Sequence, residues 1–162
     1  RGLGRCRVTV HRLYHQFAHP SMNVTAEHGS GTFRSVLSNG ERHGVVVDLP
    51  SEKGGSDLGP TALELTAMSL AGCISTIWAK VATNSRVEYR SVDVDIDLQQ
   101  GNGRAPFERA TATVRVESEA DPSKLERVLD KTMNACPVGR LFEEAGVTVE
   151  AEIVAERKMA AA

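Results

Sequence analysis

The chain is predicted to fold as an α+β protein, in the order β-β-β-α-β-β-α-α-β, around one long central helix. Three observations carry that prediction. Leu63, Ala67, Leu70, Ile74, Ile77 and Val81 recur at three- and four-residue steps, the period of a helix with one apolar face. Val92-Asp-Val-Asp-Ile-Asp-Leu98 alternates without a break, the period of a half-buried strand. Pro122 and Pro137 each follow a residue suited to cap a helix, which marks two helix starts in the C-terminal third.

The elements follow in chain order. Residues 1–21 are basic, hold no acidic residue and end just before Met22, so they are expected to be an extension outside the domain. His11, His15 and His19 in that segment share one helical face, a spacing that suits a metal. No carboxylate accompanies them and Pro20 ends the run, so a solvated basic tail is the expectation. The domain is read as 22–156, with 157–162 a tail. Asn23–Glu27 and Phe33–Leu37 read as strands joined across His28–Gly31. Asn39-Gly40 then reads as a type I′ hairpin turn, because both residues tolerate positive φ, leading into Gly44–Leu49. A Gly/Ser/Asp-rich loop runs from Pro50 to Pro60. Thr61 and Glu64 have capping-box spacing and should start the central helix.

Beyond that helix, the aspartates of Val92–Leu98 are expected to be a solubilising face rather than a cation site. Gly101-Asn-Gly103 turns the chain into a partner strand, Ala110–Val116. Asp121 caps a helix with Leu125, Val128, Leu129 and Met133 on its apolar side. Pro137 to Gly146 is a short helix, and Val147–Val154 a last strand.

Composition narrows the function classes. The chain has 162 residues, long enough for one domain with a proper core. Its 19 basic and 21 acidic residues leave no electrostatic footprint for nucleic acid or a membrane surface. Aromatic residues make up only 4%, too few for a base-stacking surface. No uninterrupted apolar run approaches the roughly 20 residues that span a bilayer, and no signal peptide is recognisable. Cysteines stand at Cys6, Cys73 and Cys136, an odd count with no Cys-x-x-Cys pair. That argues against a disulfide scaffold, a zinc site or a thioredoxin-type motif, and for a cytoplasmic protein with reactive or buried thiols.

Two of the cysteines have distinctive settings. Cys73 lies inside the long helix at the edge of its apolar stripe, between small residues and Trp78. Cys136 occupies the N-cap position before Pro137, where unpaired N–H groups and the helix dipole favour a thiolate. On local grounds Cys136 therefore has the better case for a low pKa. Cys73, with no free N–H groups on its own helix, needs a cation nearby. Spacing alone leaves open whether the two meet.

Gly59-Pro-x-x-x-Glu-Leu-x-x-x-Ser-Leu-x-x-Cys73 and the later Cys136-Pro-Val resemble the OsmC/Ohr family of thiol-dependent hydroperoxide reductases. The same order of elements extends the resemblance over about Met22 to Val154, and the Gly-Pro opening is closer to the broader OsmC-like branch. It implies an OsmC-like fold in an intertwined homodimer, with two active sites at the interface. It implies that Cys73 attacks an organic hydroperoxide and becomes a sulfenic acid, and that Cys136 resolves it as a disulfide. A dithiol or lipoylated protein then reduces the bridge. No metal, flavin or nicotinamide is required. The family's activating arginine and its glutamate partner have as candidates Arg34, Arg42 and Glu64. Glu64 precedes Cys73 by nine residues, about half a turn round an unbroken helix, and its capping role explains it without catalysis. Two rival readings fit the same residues. One is a dimer binding a fatty or aromatic molecule, with the cysteines as redox sensors. The other is a structural dimer with two buried, unreactive thiols. Cys6 has no place in any of these schemes.

Overall fold

The computed structural model describes residues 22–101 and 106–156. The extension 1–21, with Cys6, His11, His15 and His19, lies outside the described residues, as do the tail 157–162 and the turn at Asn102-Gly103. The chain divides into two compact units between Thr61 and Ala62.

The first unit is an antiparallel sheet of three short strands, β1 (Thr25–His28), β2 (Ser35–Ser38) and β3 (Gly44–Val47), in the order β1-β2-β3. Each is four residues long, shorter than the runs expected from sequence, and Phe33 stands outside β2 with its side chain exposed. The Asn39-Gly40 turn differs from expectation. Ser38 pairs with Gly44, so residues 39–43 form a wider loop, and only Gly40 of the two has positive φ (74°). The Asn39 side chain is the reason. Its Oδ1 accepts hydrogen bonds from the Glu41 and His43 amides at 3.1 and 3.2 Å, an Asx turn that competes with the tight hairpin.

The loop from Asp48 to Pro60 is built on one buried carboxylate and includes a 3₁₀ turn, Ser51–Lys53. Asp48 accepts from the amides of Leu49 (2.8 Å), Ser56 (3.2 Å) and Leu58 (3.3 Å). Burial alone would raise its pKa; those three donors and the nearby Arg34 charge outweigh it and hold the carboxyl below the usual range. Gly55 is required by close approach, since a Cβ there would stand 1.8 Å from the Leu49 carbonyl oxygen.

The second unit begins with α1 (Ala62–Asn84), which starts one residue after Thr61, where the capping-box spacing places it. The strands β4 (Ser91–Gln100) and β5 (Phe107–Glu117) follow, then the helices α2 (Pro122–Ala135) and α3 (Pro137–Glu144), then β6 (Thr148–Glu156). The sheet order is β4-β5-β6. β4 and β5 are antiparallel, whereas β5 and β6 are parallel, which requires a crossover long enough to hold α2 and α3. Asp121 caps α2 as expected, accepting from the Ser123 amide at 2.8 Å.

The buried line of α1 is rotated from the stripe the sequence suggests. Leu70, Ile74, Trp78 and Ala82 are fully buried at four-residue steps, while Leu63 is 53% exposed and Ala67, Ile77 and Val81 are half-buried. Trp78 pulls the axis round, because the largest apolar side chain gains most from burial and stacks edge-on against Tyr89 at 4.9 Å. Alternate residues of β5 (Ala110, Ala112, Val114 and Val116) and the α2 residues Leu125, Val128 and Leu129 complete the same core. On α2, Thr132 is buried where Met133 is only half-buried; its hydroxyl donates to the Val128 carbonyl at 2.8 Å and so tolerates the core. By length and composition α1 is apolar enough to cross a membrane, although no single run of its residues is uninterrupted. Its most apolar line is spent on this core.

On β4 the odd positions Asp93, Asp95 and Asp97 are exposed, with Arg115 of β5 paired to Asp95. Among the described residues no group of three His, Cys, Asp or Glu side chains is placed to hold a metal. The C-terminus of α1 makes a Schellman motif. The Arg86 amide donates to the Thr83 carbonyl (3.1 Å) and the Val87 amide to that of Ala82 (2.9 Å). Arg86 takes the left-handed position, φ 53°, where glycine is usual. Arg86→Gly is expected to raise stability by about 0.5–1 kcal/mol, read as a higher urea midpoint with unchanged slope. A fall in the midpoint would show that the arginine side chain contributes more than its backbone costs.

Candidate active site

Cys73 and Cys136 meet. Their sulfurs stand 3.1 Å apart, unbridged, with the Cys136 thiol donating to Cys73. A disulfide requires about 2.05 Å, so closing the gap needs a shift of roughly 1 Å.

Each sulfur is placed by a local feature of the sequence. Cys73 lies one residue before the buried Ile74 and three after Leu70, so the burial of α1 fixes its direction. Cys136 is a single-residue joint. Its backbone (φ −74°, ψ 109°) ends α2 and caps α3 at once, and Pro137, which cannot continue α2, sits at the first position of α3. The Cys136 Sγ accepts from the Gly139 amide at 3.3 Å, the side-chain capping bond of α3. The Val138 amide is directed at the pair as well. Two of the unpaired donors that open any helix therefore face these sulfurs.

The titration of the pair reverses the expectation drawn from local sequence. Cys73 is lowered to about 6, chiefly by the hydrogen bond from Cys136; burial opposes this and the Val138 amide assists. Cys136 is raised, because its proton is held between the sulfurs and because burial disfavours its charge. The expectation failed because it counted only donors on each cysteine's own helix. Cys73 draws its donors from α3. Accessibility divides the pair in the same sense, since Cys136 is 1% exposed and Cys73 half-buried. Solvent and small molecules reach Cys73 first.

Glu64, in the same unit as the two cysteines, is not gathered with them. Glu64 is exposed in the first turn of α1, about 13.5 Å along the axis from Cys73 at 1.5 Å per residue. Arg34 and Arg42 belong to the N-terminal unit, Arg34 near Asp48 and Arg42 exposed in the loop between β2 and β3. Sequence reasoning credited the unpaired N–H groups of this helix to Cys136 alone and missed that the Val138 amide also acts on Cys73. The signal for those groups was present, since the second and third residues of a helix opened by Cys-Pro have free N–H groups.

A surface concavity of about 540 Å³ lies elsewhere, lined by Arg86, Glu88, Arg90, Glu117 and Glu119 among others. Neither cysteine borders it.

The OsmC-like protein family model matches residues 54–152. No curated protein matches the chain. Among solved structures, an OsmC-like protein from Mycoplasma pneumoniae is 9% identical, with a TM-score of 0.73 over 83% of this chain and 96% of that one. An organic hydroperoxide resistance protein OsmC from Legionella pneumophila is 17% identical, with a TM-score of 0.63 over 84% and 98%. The organic hydroperoxide resistance protein OhrB of Bacillus subtilis is 18% identical, with a TM-score of 0.59 over 83% and 98%. At such identities the likeness is one of fold. The family match, however, takes in more than half of the sequence, including α1 with Cys73 and the α2–α3 joint with Cys136, and the chain belongs to the OsmC-like protein family.

Proposed function

We propose that this protein is a thiol-dependent peroxidase that reduces organic hydroperoxides to alcohols. The observation that carries the reading is the unbridged pair 3.1 Å apart, of which only Cys73 is accessible. The Cys73 thiolate attacks the terminal oxygen of R–O–O–H. The O–O bond breaks, a sulfenic acid forms on Cys73, and the leaving alkoxide takes the Cys136 proton to depart as alcohol. That transfer leaves Cys136 as a thiolate beside the sulfenic sulfur. Its attack forms the disulfide and releases hydroxide. An external dithiol, including a lipoylated protein, returns both thiols, and a reducing cytoplasmic setting suits a pair that rests unbridged. Arg34, Arg42 and Glu64 are proposed as auxiliary groups; because α3 already supplies donors to Cys73, losing any of them should slow the reaction rather than end it. Names of related structures, organic hydroperoxide resistance proteins among them, support the substrate class.

A homodimer belongs to the same proposal. The described part of the N-terminal unit has no fully buried apolar residue, and Phe33, Val36 and Val45 are exposed. Three strands of four residues do not hold themselves. A second copy would cover them, as a doubled mass in sedimentation would show.

The direct test is the intact mass of the reduced chain before and after one equivalent of cumene hydroperoxide. Loss of two hydrogens, mapped to a Cys73–Cys136 bridge, is the expected result. Both thiols intact after minutes would overturn the proposal in favour of a ligand-binding dimer.

The pH dependence follows from the thiolate being the nucleophile. The rate of the first oxidation should rise through a midpoint of about 6 and level off above it. Cys136→Ala removes the main donor, so the midpoint should move up toward the ordinary thiol value of 9.0. Stopped-flow rates from pH 5 to 10 would show the shift; an unmoved midpoint would mean that another group holds the charge.

A further inference from the structure

We propose that the reduced Cys73–Cys136 pair is also a capture site for trivalent arsenicals, compounds R–As(OH)₂ with one organic substituent. The inference goes beyond peroxide chemistry and rests on the bite of the two sulfurs, 3.1 Å, with no third protein ligand beside them among the described residues.

The bite lies nearer the span of some soft guests than of others. Tetrahedral zinc, with bonds of about 2.3 Å to sulfur, holds two thiolates about 3.8 Å apart and closes a structural site with four ligands. A linear two-coordinate metal with bonds of that length needs about 4.6 Å between sulfurs. Trivalent arsenic keeps a lone pair and is pyramidal, with angles at arsenic near a right angle. With bonds of about 2.3 Å, similar to those of zinc, it needs sulfurs only about 3.2 Å apart. The pair matches that span with little movement, and two sulfurs complete the coordination because the substituent R is the third ligand.

The surroundings suit the guest. Cys73 is half-buried, so one side of the pair is open. Gly72, its neighbour in the chain, adds no side chain beside it. The Val138 and Gly139 amides favour charge on the sulfurs, which makes them better nucleophiles toward arsenic. In the capture, two As–O bonds break and two As–S bonds form. The hydroxyl groups leave, one as water with the Cys136 proton and one as hydroxide, and arsenic remains trivalent, so no oxidant or reductant is needed.

The experiment uses the reduced 162-residue chain, phenylarsine oxide as probe, and a millimolar monothiol as competitor. The expected result is one adduct per chain, a phenylarsenic group less two hydrogens, mapped by peptide analysis to Cys73 and Cys136 together. Because the second bond forms within one molecule, Cys73→Ser and Cys136→Ser should each weaken capture on the order of 100-fold or more. Cys6→Ser should leave it unchanged. Absence of an adduct on the wild-type chain with both thiols titratable, an adduct mapped to Cys6 or to one cysteine alone, or equal capture by the single variants would each overturn the proposal. Mapping on the wild-type chain needs no variant to fold. The peroxidase reading is tested separately. A chain that captures arsenic and ignores hydroperoxide refutes that reading and keeps this one, and the converse result refutes this one alone.

Discussion

On the proposed peroxidase reading, Cys73→Ser is expected to lower hydroperoxide consumption by at least about 1,000-fold, because a serine hydroxyl in the same place is not ionised and does not attack an O–O bond. The effect should fall on the chemical step, since the helix around residue 73 keeps its packing; Leu70 and Ile74, not the thiol, bury that turn. Cys136→Ser should behave differently. It leaves the nucleophile in place and a hydroxyl donor beside it, so the first equivalent of peroxide is still reduced. Cycling then stops, with a sulfenic acid on Cys73 that a dimedone-type trap would report. Steady-state assays with a dithiol, paired with single-turnover mass measurements, separate the two variants. Equal loss in both single-turnover experiments would mean that the sulfurs act as one unit from the first step.

The second large effect concerns stability. Oxidation to the Cys73–Cys136 disulfide should stabilise the fold by about 4 kcal/mol in the loop-closure picture, because it ties residues 63 positions apart. For a chain of 162 residues that is a rise in Tm on the order of 10 °C. Most of the gain should survive in the folded state, since the reduced sulfurs already lie 3.1 Å apart and neither helix has far to move. Calorimetry of the oxidised and reduced chains is the measurement, with Cys136→Ser as a control that should show no difference. A lower Tm on oxidation would mean that the bridge distorts α1 or the joint between α2 and α3 by more than the entropy it saves.

The sequence made much of this legible, and its failures have physical causes. The order of elements followed from patterns that are local: alternation in β4, the Asp121-Pro122 start of α2, the Cys136-Pro137 start of α3. Strand ends in the N-terminal sheet differ from expectation, because Val24, Phe33 and Leu49 have strand-like side chains yet lie outside β1, β2 and β3. The Asn39-Gly40 turn was misjudged because an asparagine side chain can serve the backbone in two ways, and periodicity does not record which. The parallel pairing of β5 and β6 was open, since direction depends on a crossover and not on strand composition. The site divides in the same manner. Both cysteines stood out, one by its capping position and one by its helix. Their charge assignment came out reversed, because hydrogen bonds between elements distant in sequence are invisible until the fold brings α3 onto α1.

The joint at Cys136 makes the chemical state of a sulfur part of the local backbone. In the reduced form its Sγ holds the Gly139 amide and so closes the first turn of an eight-residue helix. A helix of that length has little stability of its own and depends on its cap. A disulfide sulfur is a poorer acceptor and is drawn toward Cys73, so oxidation loosens that turn. Deuterium should therefore enter the Gly139 amide faster in the oxidised chain, even as global unfolding becomes rarer. One amide would then act as a gauge of the redox cycle, readable without substrate or reductant.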